Sequence, residues 1–471
     1  MPLPRALAAS LAALTLAVAC SGDAPTTTPE PAPRTAADTA DRVVRWLGAS
    51  ATALARTAPA AADDAADLRP LLRAVGDARV VGMGEGTHGS AEFFTVKDRV
   101  FRALVREAGF TGIAVEATMP EAFALDRYVR TGEGNARALL RGLYFWTTGT
   151  EELLALVEWL RAHNATLPAD RRVGFYGVDM QYPAAALDSV RAFARRVAPG
   201  TLAPFVEARY ACADQYRNTG RLFPAGSYSV APAALRATCG PAVRAVHDTL
   251  AALRASLGAG AAQEPYERAL LMARLVVQWE GVGTAGATGG AKEGTAARDR
   301  AMAENLRWLL DRHGARGRLL LWAHNGHVGV IEGGPARTDP PLMLGGHLRR
   351  TLGADYLAIG FAFDRGGLVA WGPQRFEAHA MPAAVDGSAE SVLRRHPAPA
   401  YYVDLRAAPA GPVAAWLAGP RPVRTVGSGY DATFWDRYFR PESLRTLYDV
   451  LVFVAAVTPS RPLFDPNVIA P

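Results

Sequence analysis

The stretch VVGMGEGTHGSAEFFTVKDRVFRAL, Val80 to Leu104, decides the fold. It opens as a short apolar run of strand type. A glycine-rich break carrying Glu85 and His88 follows. Phe93, Val96, Val100, Phe101 and Leu104 then recur at helical spacing, and Gly109 stands where a C-cap is expected. The stretch therefore reads as a buried strand, a turn and an amphipathic helix. The same rhythm continues. TGIAVEA is the next strand, PEAFALDRYVR opens a helix, TEELLALVEWLRAHNA is a further amphipathic helix, and RRVGFYGVDMQ is a strand ending in Asp179. Strands alternating with helices in this way predict an α/β fold, a mainly parallel sheet flanked by helices.

On the N-terminal side, Arg42–Thr57 and Asp67–Val75 read as helices. From 184 to 308 the pattern is almost entirely helical, which predicts a large helical insertion or subdomain. It is broken by NTGRLFPAGSYSV and by GVGTAGATGGAKEGT. The second break reads as a mobile loop, since it follows no strand and lacks the Lys-Ser/Thr ending of a nucleotide loop. Strand patterns return with GRLLLWAHNGHVG, DYLAIGFAF, PAYYVDL and LYDVLVFVAAV. The expected α/β core thus comprises 41–183 and 309–471, interrupted by 184–308.

Composition narrows the function classes. Half of the 471 residues are hydrophobic and a fifth are charged, which is enough for a sizeable core. The net charge is +6, but its arginines are scattered among carboxylates. No Lys/Arg block marks a nucleic-acid footprint. Residues 1–20 have a short basic start, an apolar stretch too short to span a bilayer comfortably, and the ending LAVAC. That ending resembles a bacterial lipoprotein signal with Cys20 as the lipidated residue, although Ala17 stands where Leu is usual. Residues 21–40, rich in Pro, Thr and Ala, read as a disordered tether. The expected location is the cell envelope, reached by export and held through a lipid anchor. The remaining cysteines, Cys212 and Cys239, are expected to pair in that oxidising compartment.

Ligands of parallel α/β sheets bind beyond the carboxyl ends of the strands. Those ends carry Glu85 and His88, then Glu116, then Asp179, then His324 and His327. A strand-end acid taken alone reads as a cap, and a lone histidine as a satisfied half-buried ring. Two glutamates and three histidines arriving at successive strand ends read as a chemical site.

Over Ala78 to Gly329 the sequence resembles the erythromycin esterase family. The resemblance rests on GEGTHGSAEFFTVKDRVFRALVREAGFTGIAVEA, YFWTTGTEELLALVEWLRAHN, GFYGVDMQ, ARDRAMAENLRWLL and LLLWAHNGHVG, in that order. It implies a hydrolase with a strand–helix core and added helices. It further implies that His88 is the key histidine, that Glu85 and Glu116 match the family's glutamates, and that Lys97 matches the basic residue of the helix after the histidine. Arg298 and Asp299 match its Arg-Asp pair. His324, Asn325 and His327 match its His-Asn-His element, with only one residue between Asn325 and His327.

No Gly-x-Ser-x-Gly elbow lies between a strand and a helix, and no cysteine is placed for nucleophilic work. Water is then the nucleophile, His88 its general base, and Glu85 or Glu116 the group that orients the base or the water. Lys97, Arg298, His324 or His327 would meet the oxyanion. No cofactor is expected. The alternative is a zinc or manganese ion held by His88, Glu116, His324 and His327, without the support of a His-Glu-x-x-His spacing. The expected substrate is a small-molecule ester or lactone, a macrolide lactone among them, acted on by a monomer. Two other readings stand beside it: a hydrolase of cell-envelope glycan or its acyl esters, and a tethered binding protein without activity. Tyr210, Tyr216, Phe223, Tyr228 and Trp279 of the insertion either line an apolar cleft or pack its core.

If Cys20 is lipidated, the mature protein partitions into detergent and its N-terminal peptide carries a diacylglyceryl mass. Cys20→Ala then releases it or stalls its processing. A soluble protein with an unmodified N-terminus overturns the anchor.

Overall fold

Val80–Met83 (β2) is the centre of the protein, and all four of its residues are buried. It lies parallel between Leu319–Trp322 (β5) and Tyr356–Trp371 (β6). Beyond β5 come Gly112–Thr118 (β3) and Gly174–Asp179 (β4), both parallel to it. Beyond β6 comes Val450–Val457 (β11), still parallel, then Ala400–Asp404 (β8) and the short Thr52–Ala53 (β1), each antiparallel to its neighbour. Phe376–Met381 (β7) returns antiparallel along the far end of β6. The order β1-β8-β11-β6-β2-β5-β3-β4 makes a nine-stranded sheet with β7. A separate pair joins Arg421–Arg424 (β9) to Phe439–Glu442 (β10). This computed structural model describes residues 35–61, 64–217, 228–257, 260, 263–330, 343–465 and 467. Cys20 and the signal-like segment lie outside them, as does Phe223.

The expected α/β sheet is present. Strand side chains alternate between two cores. Val81, Met83, Ile113, Val115 and Leu320 face the helices Ala91–Ala108 and Glu151–Ala165. Val80, Ala114, Leu319 and Leu321 face the other way, onto the helices of the span 184–308. The insertion and the sheet therefore share one buried cluster. Cys212 and Cys239 are bonded within it, their Cα atoms 5.6 Å apart. At a sequence separation of 27, such a link stabilises by ~3–4 kcal/mol in the chain-entropy account. Among the described residues no helix is long and apolar enough to cross a membrane.

Several expectations need correction. GVGTAGATGGAKEGT is not a loop. It belongs to the helical stretch Gln263–Arg312, which leaves helical geometry only at Gly290, where φ is +78°. Two arms fold back there, joined by Gln278 to Glu304 and Arg274 to Asn305. A Cβ on Gly294 would lie 3.2 Å from the Cα of Gly286, so small residues let the arms touch. The first helix is Ala36–Ser50 rather than 42–57, with Thr35 capping Asp38. It takes the last residues assigned to the tether, because Val43, Trp46 and Leu47 are buried against the sheet side. The second helix is Arg69–Val75, entered through a short 3-10 turn. β1, β7, β9 and β10 had no sequence signal strong enough to read.

Gly89 is the tightest point of the fold. An added Cβ would meet the carbonyl oxygen of Val369 at 1.8 Å and its nitrogen at 2.6 Å. Both are backbone atoms that no rotamer change can move. Gly89→Ala is expected to lose at least ~3 kcal/mol, beyond ordinary overpacking. Gly281→Ala, a helical site with open space, is expected to gain ~0.5–1 kcal/mol. Denaturant unfolding of the two variants checks the contrast.

Candidate active site

Four neighbouring strands, β2, β5, β3 and β4, bring their carboxyl ends together, and every strand-end residue singled out in the sequence arrives there. Glu85 follows β2 and is 2% exposed. Its Oε1 lies 2.6 Å from His88 Nδ1. Its Oε2 accepts from Lys97 Nζ at 2.5 Å and from Trp322 Nε1 at 3.1 Å. Burial raises the carboxyl's pKa, but Lys97 and His88 outweigh it and hold the group below its ordinary value. Lys97 is wholly buried, with its ammonium 4.5 Å over the Trp322 ring. Burial pulls it down to about 8 against the pull of Glu85. Trp322 carried no sequence signal, being one more apolar residue of a buried strand.

Because a carboxylate can only accept, His88 Nδ1 is the donor, and in the neutral ring Nε2 carries the lone pair. The His88 ring lies 4.8 Å from that of His324. His324 has both nitrogens engaged. Nδ1 accepts the Gly326 N–H at 3.0 Å, capping the turn Asn325–Val328, and Nε2 donates to the Val426 carbonyl at 3.2 Å. Burial, helped by His88 and His327, pushes its pKa down to about 3, so the ring is neutral. Asn325 braces the same turn. Its side chain exchanges two hydrogen bonds with the backbone of Phe361 in β6.

A second cluster stands beside the first. Glu116 from β3 accepts from Arg298 Nη2 at 2.7 Å and from the His324 backbone N–H at 3.0 Å. Arg298 also grips Asp179 at the end of β4, at 2.5 and 3.0 Å. His327 donates from Nδ1 to Asp299 at 2.5 Å. Its Nε2 faces Glu116 Oε1 at 3.2 Å and Arg298 Nη1 at 3.0 Å. The guanidinium contact alone favours a neutral ring. The carboxylates win: burial opposes the charge, but Glu116 and Asp299 push the ring up to about 10. Burial likewise opposes ionisation of Glu116, yet His327 and Arg298 hold it well below the usual carboxylate range.

Glu85, His88, Glu116, Thr147, Thr148 and Trp322 are among the lining of a small cavity of about 10 Å³. Thr147 and Thr148 come from the loop before the helix Glu151–Ala165, which the sequence reading had not assigned to the site. Among the described residues the aromatics of the insertion do not line it. Tyr210, Tyr228 and Trp279 are fully buried, and Tyr228 packs on Trp279 and Tyr216 at 4.7 and 5.2 Å, so they are helix-packing core. The alternative metal ligands do not assemble either. His324 and His327 are committed at both nitrogens, and among the described residues no three His, Cys, Asp or Glu side chains are placed to hold an ion.

The His327 charge makes a stability prediction. Its folded pKa is raised from 6.5 to about 10, so its contribution is fully present below about pH 6.5 and is lost as pH rises through about 10. Thermal melts of wild type and His327→Gln should differ most near neutral and mildly acid pH, with the gap closing by about pH 10. A gap that is constant with pH contradicts a charged ring.

Comparison with known proteins follows the same line. The profile described as erythromycin esterase matches residues 105–457. Erythromycin esterase type II of Escherichia coli is 32% identical over 119 residues, 25% of this chain and 27% of that protein. The alignment thus spans about a quarter of the curated relative. A Bacillus cereus protein of solved structure superposes with a TM-score of 0.76 at 25% identity, over 90% of this chain and 99% of its own. A succinoglycan biosynthesis protein gives 0.75 at 23% identity, over 89% and 98%. A mutant of the erythromycin esterase EreC in its open conformation gives 0.66 at 18%, over 84% and 94%. The profile match covers most of the sheet and both charged clusters except Glu85, His88 and Lys97, and on it the chain belongs to the erythromycin esterase family.

Proposed function

We propose that this protein hydrolyses a carboxylic ester or lactone, with His88 as the general base that activates water. Family membership supports an esterase-like hydrolase. The observation that carries the finer reading is the 2.6 Å contact of His88 Nδ1 with a buried, doubly anchored Glu85. It fixes the tautomer, turns the lone pair of Nε2 outward, and steadies the imidazolium that forms.

In this reading water attacks the ester carbonyl while its proton passes to His88 Nε2. Glu116, an acceptor in the same cavity, holds the second hydrogen of the water. The Thr147 side chain offers a donor to the developing oxyanion. Collapse of the tetrahedral intermediate breaks the bond to the leaving oxygen, which takes the proton back from His88. Lys97 is a positioning residue here, buried behind Glu85. Arg298, His327 and His324 position Glu116 and the β5 turn. In this reading they act through position rather than by direct contact with the oxyanion.

The room this cavity leaves is about 10 Å³, enough for about one water, so it holds the attacking water while the ester and the rest of the substrate lie over its mouth. A macrolide lactone is one substrate of that class. The lipobox-like ending at Cys20 supports placing the enzyme on the cell envelope through a lipid anchor. A binding protein without activity has no use for so closely tied a Glu–His pair, given what burying the carboxylate costs.

His88→Gln can hydrogen-bond but cannot take the proton. It is expected to lower kcat by ~10²–10⁴-fold on any ester the wild type hydrolyses, with an unchanged circular dichroism spectrum. Chelator treatment is expected to leave the rate unchanged. Wild-type turnover in His88→Gln removes His88 from the chemistry, and loss of activity with chelator favours the metal alternative.

A further inference from the structure

The loop between the helices Ala136–Arg141 and Glu151–Ala165 reads LYFWTT, three consecutive aromatics at the rim of the reaction cavity. Thr147 and Thr148 of this loop line the cavity itself. Trp146 stands edge-on to His88, centroids 6.3 Å apart, and is only half-buried. Behind it Phe376 of β7 lies at 4.9 Å, and Trp371 of β6 at 4.8 Å from Phe376. On the other side Tyr144 packs at 5.3 Å on Tyr182, just beyond the end of β4. The loop therefore carries two aromatic groups, of which Trp146 stands beside His88 and Tyr144 two residues away packs on Tyr182.

Tyr144 is the unusual member. Its φ is +60°, a left-handed conformation that a bulky L-residue adopts only under constraint. It is also 41% exposed, among the few large hydrophobic side chains left open to solvent. A core aromatic offsets backbone strain by burying its ring, and this one leaves much of its ring uncovered. Strain retained without burial is a mark of a functional position. Glycine, free at this φ, would relieve it.

We propose that Tyr144 and Trp146 form a stacking subsite for a flat aromatic ring that the substrate carries next to its scissile ester bond. This rests on the ester-hydrolase reading of the cavity. Ring faces and edges recognise a flat ring beyond its apolar area, whereas a flexible alkyl chain of similar size gains only the area. The two rings are then a specificity element, holding the substrate's ring while its carbonyl is presented at the mouth of the small cavity.

The test compares the full chain with Tyr144→Gly and Trp146→Leu on 2-naphthyl acetate and on n-octyl acetate. Each variant is expected to raise KM for the naphthyl ester roughly threefold to tenfold and to change that for the octyl ester by less than about twofold. Tyr144→Gly should at the same time melt no lower than wild type, which separates the lost ring from a lost fold. An unchanged ratio of the two KM values in Tyr144→Gly overturns the subsite, whether or not Trp146→Leu folds. If the wild type hydrolyses neither ester, the hydrolase reading fails on these substrates, and equilibrium dialysis decides the subsite alone. Tighter binding of 2-naphthyl acetate by wild type than by Tyr144→Gly supports it, and equal binding overturns it.

Discussion

A buried carboxylate is tolerable only if its charge is answered, and Glu85 is answered from three directions. His88 comes from its own loop, Lys97 from the following helix, and Trp322 from the neighbouring strand. Even its backbone is used, since the Glu85 carbonyl accepts the Asn325 N–H at 3.0 Å. The glycine-rich turn exists to let these partners close in. A Cβ on Gly84 would stand 2.1 Å from Asn325 Oδ1, and one on Gly89 would strike β6. The sequence GEGTHG is therefore a packing solution as much as a chemical one. It drops β2 into a loop tight enough for a strand-end acid to be buried and still fully bonded.

The helical insertion takes part in the same arrangement. Arg298 and Asp299 sit on the second arm of its helical hairpin. Arg298 ties Glu116 to Asp179 across the ends of β3 and β4, and Asp299 holds the turn after β5 through His327. Three carboxylates face one guanidinium and one imidazolium, so removing either cation leaves buried negative charge uncompensated. This explains why the insertion shares a core with the sheet. A loosely hinged subdomain could not hold charged contacts of 2.5 to 2.7 Å in register.

Much of this was legible in the residues. Apolar runs ending in Glu, Asp or His announce strands whose carboxyl ends meet, and the sheet brings those ends side by side. The glycine-rich stretch misled because composition does not say whether glycine is there for freedom or for closeness. At Gly290 it is freedom, and at Gly286 and Gly294 it is closeness between helices. Trp322 was invisible because a tryptophan in a buried strand looks like core until its indole N–H finds Glu85. The aromatic loop around Tyr144 was quoted for family likeness, but its backbone strain and its place beside His88 depend on contacts from β4, β6 and β7 that no local pattern encodes. For Tyr210, Tyr228 and Trp279 of the insertion the sequence leaves cleft lining and core both open, and their full burial decides for core.

The three histidines show why position in the fold decides chemistry. They are the same side chain within one small site, yet each meets a different surrounding. His324 gives one nitrogen to a carbonyl and takes a backbone N–H on the other, and burial then makes protonation costly. It can orient a turn but has no lone pair to offer. His327 lies between two carboxylates, which keep it protonated, so it can compensate charge but cannot accept a proton. Only His88 has one nitrogen tied to a carboxylate and the other left to the cavity. Glu85 can perform this tie because Lys97 and Trp322 occupy its second oxygen, leaving the first to the imidazole alone. In the proposed mechanism the buried lysine thus acts on His88 through the carboxylate it neutralises, and of the three histidines His88 is the one whose surroundings suit a base.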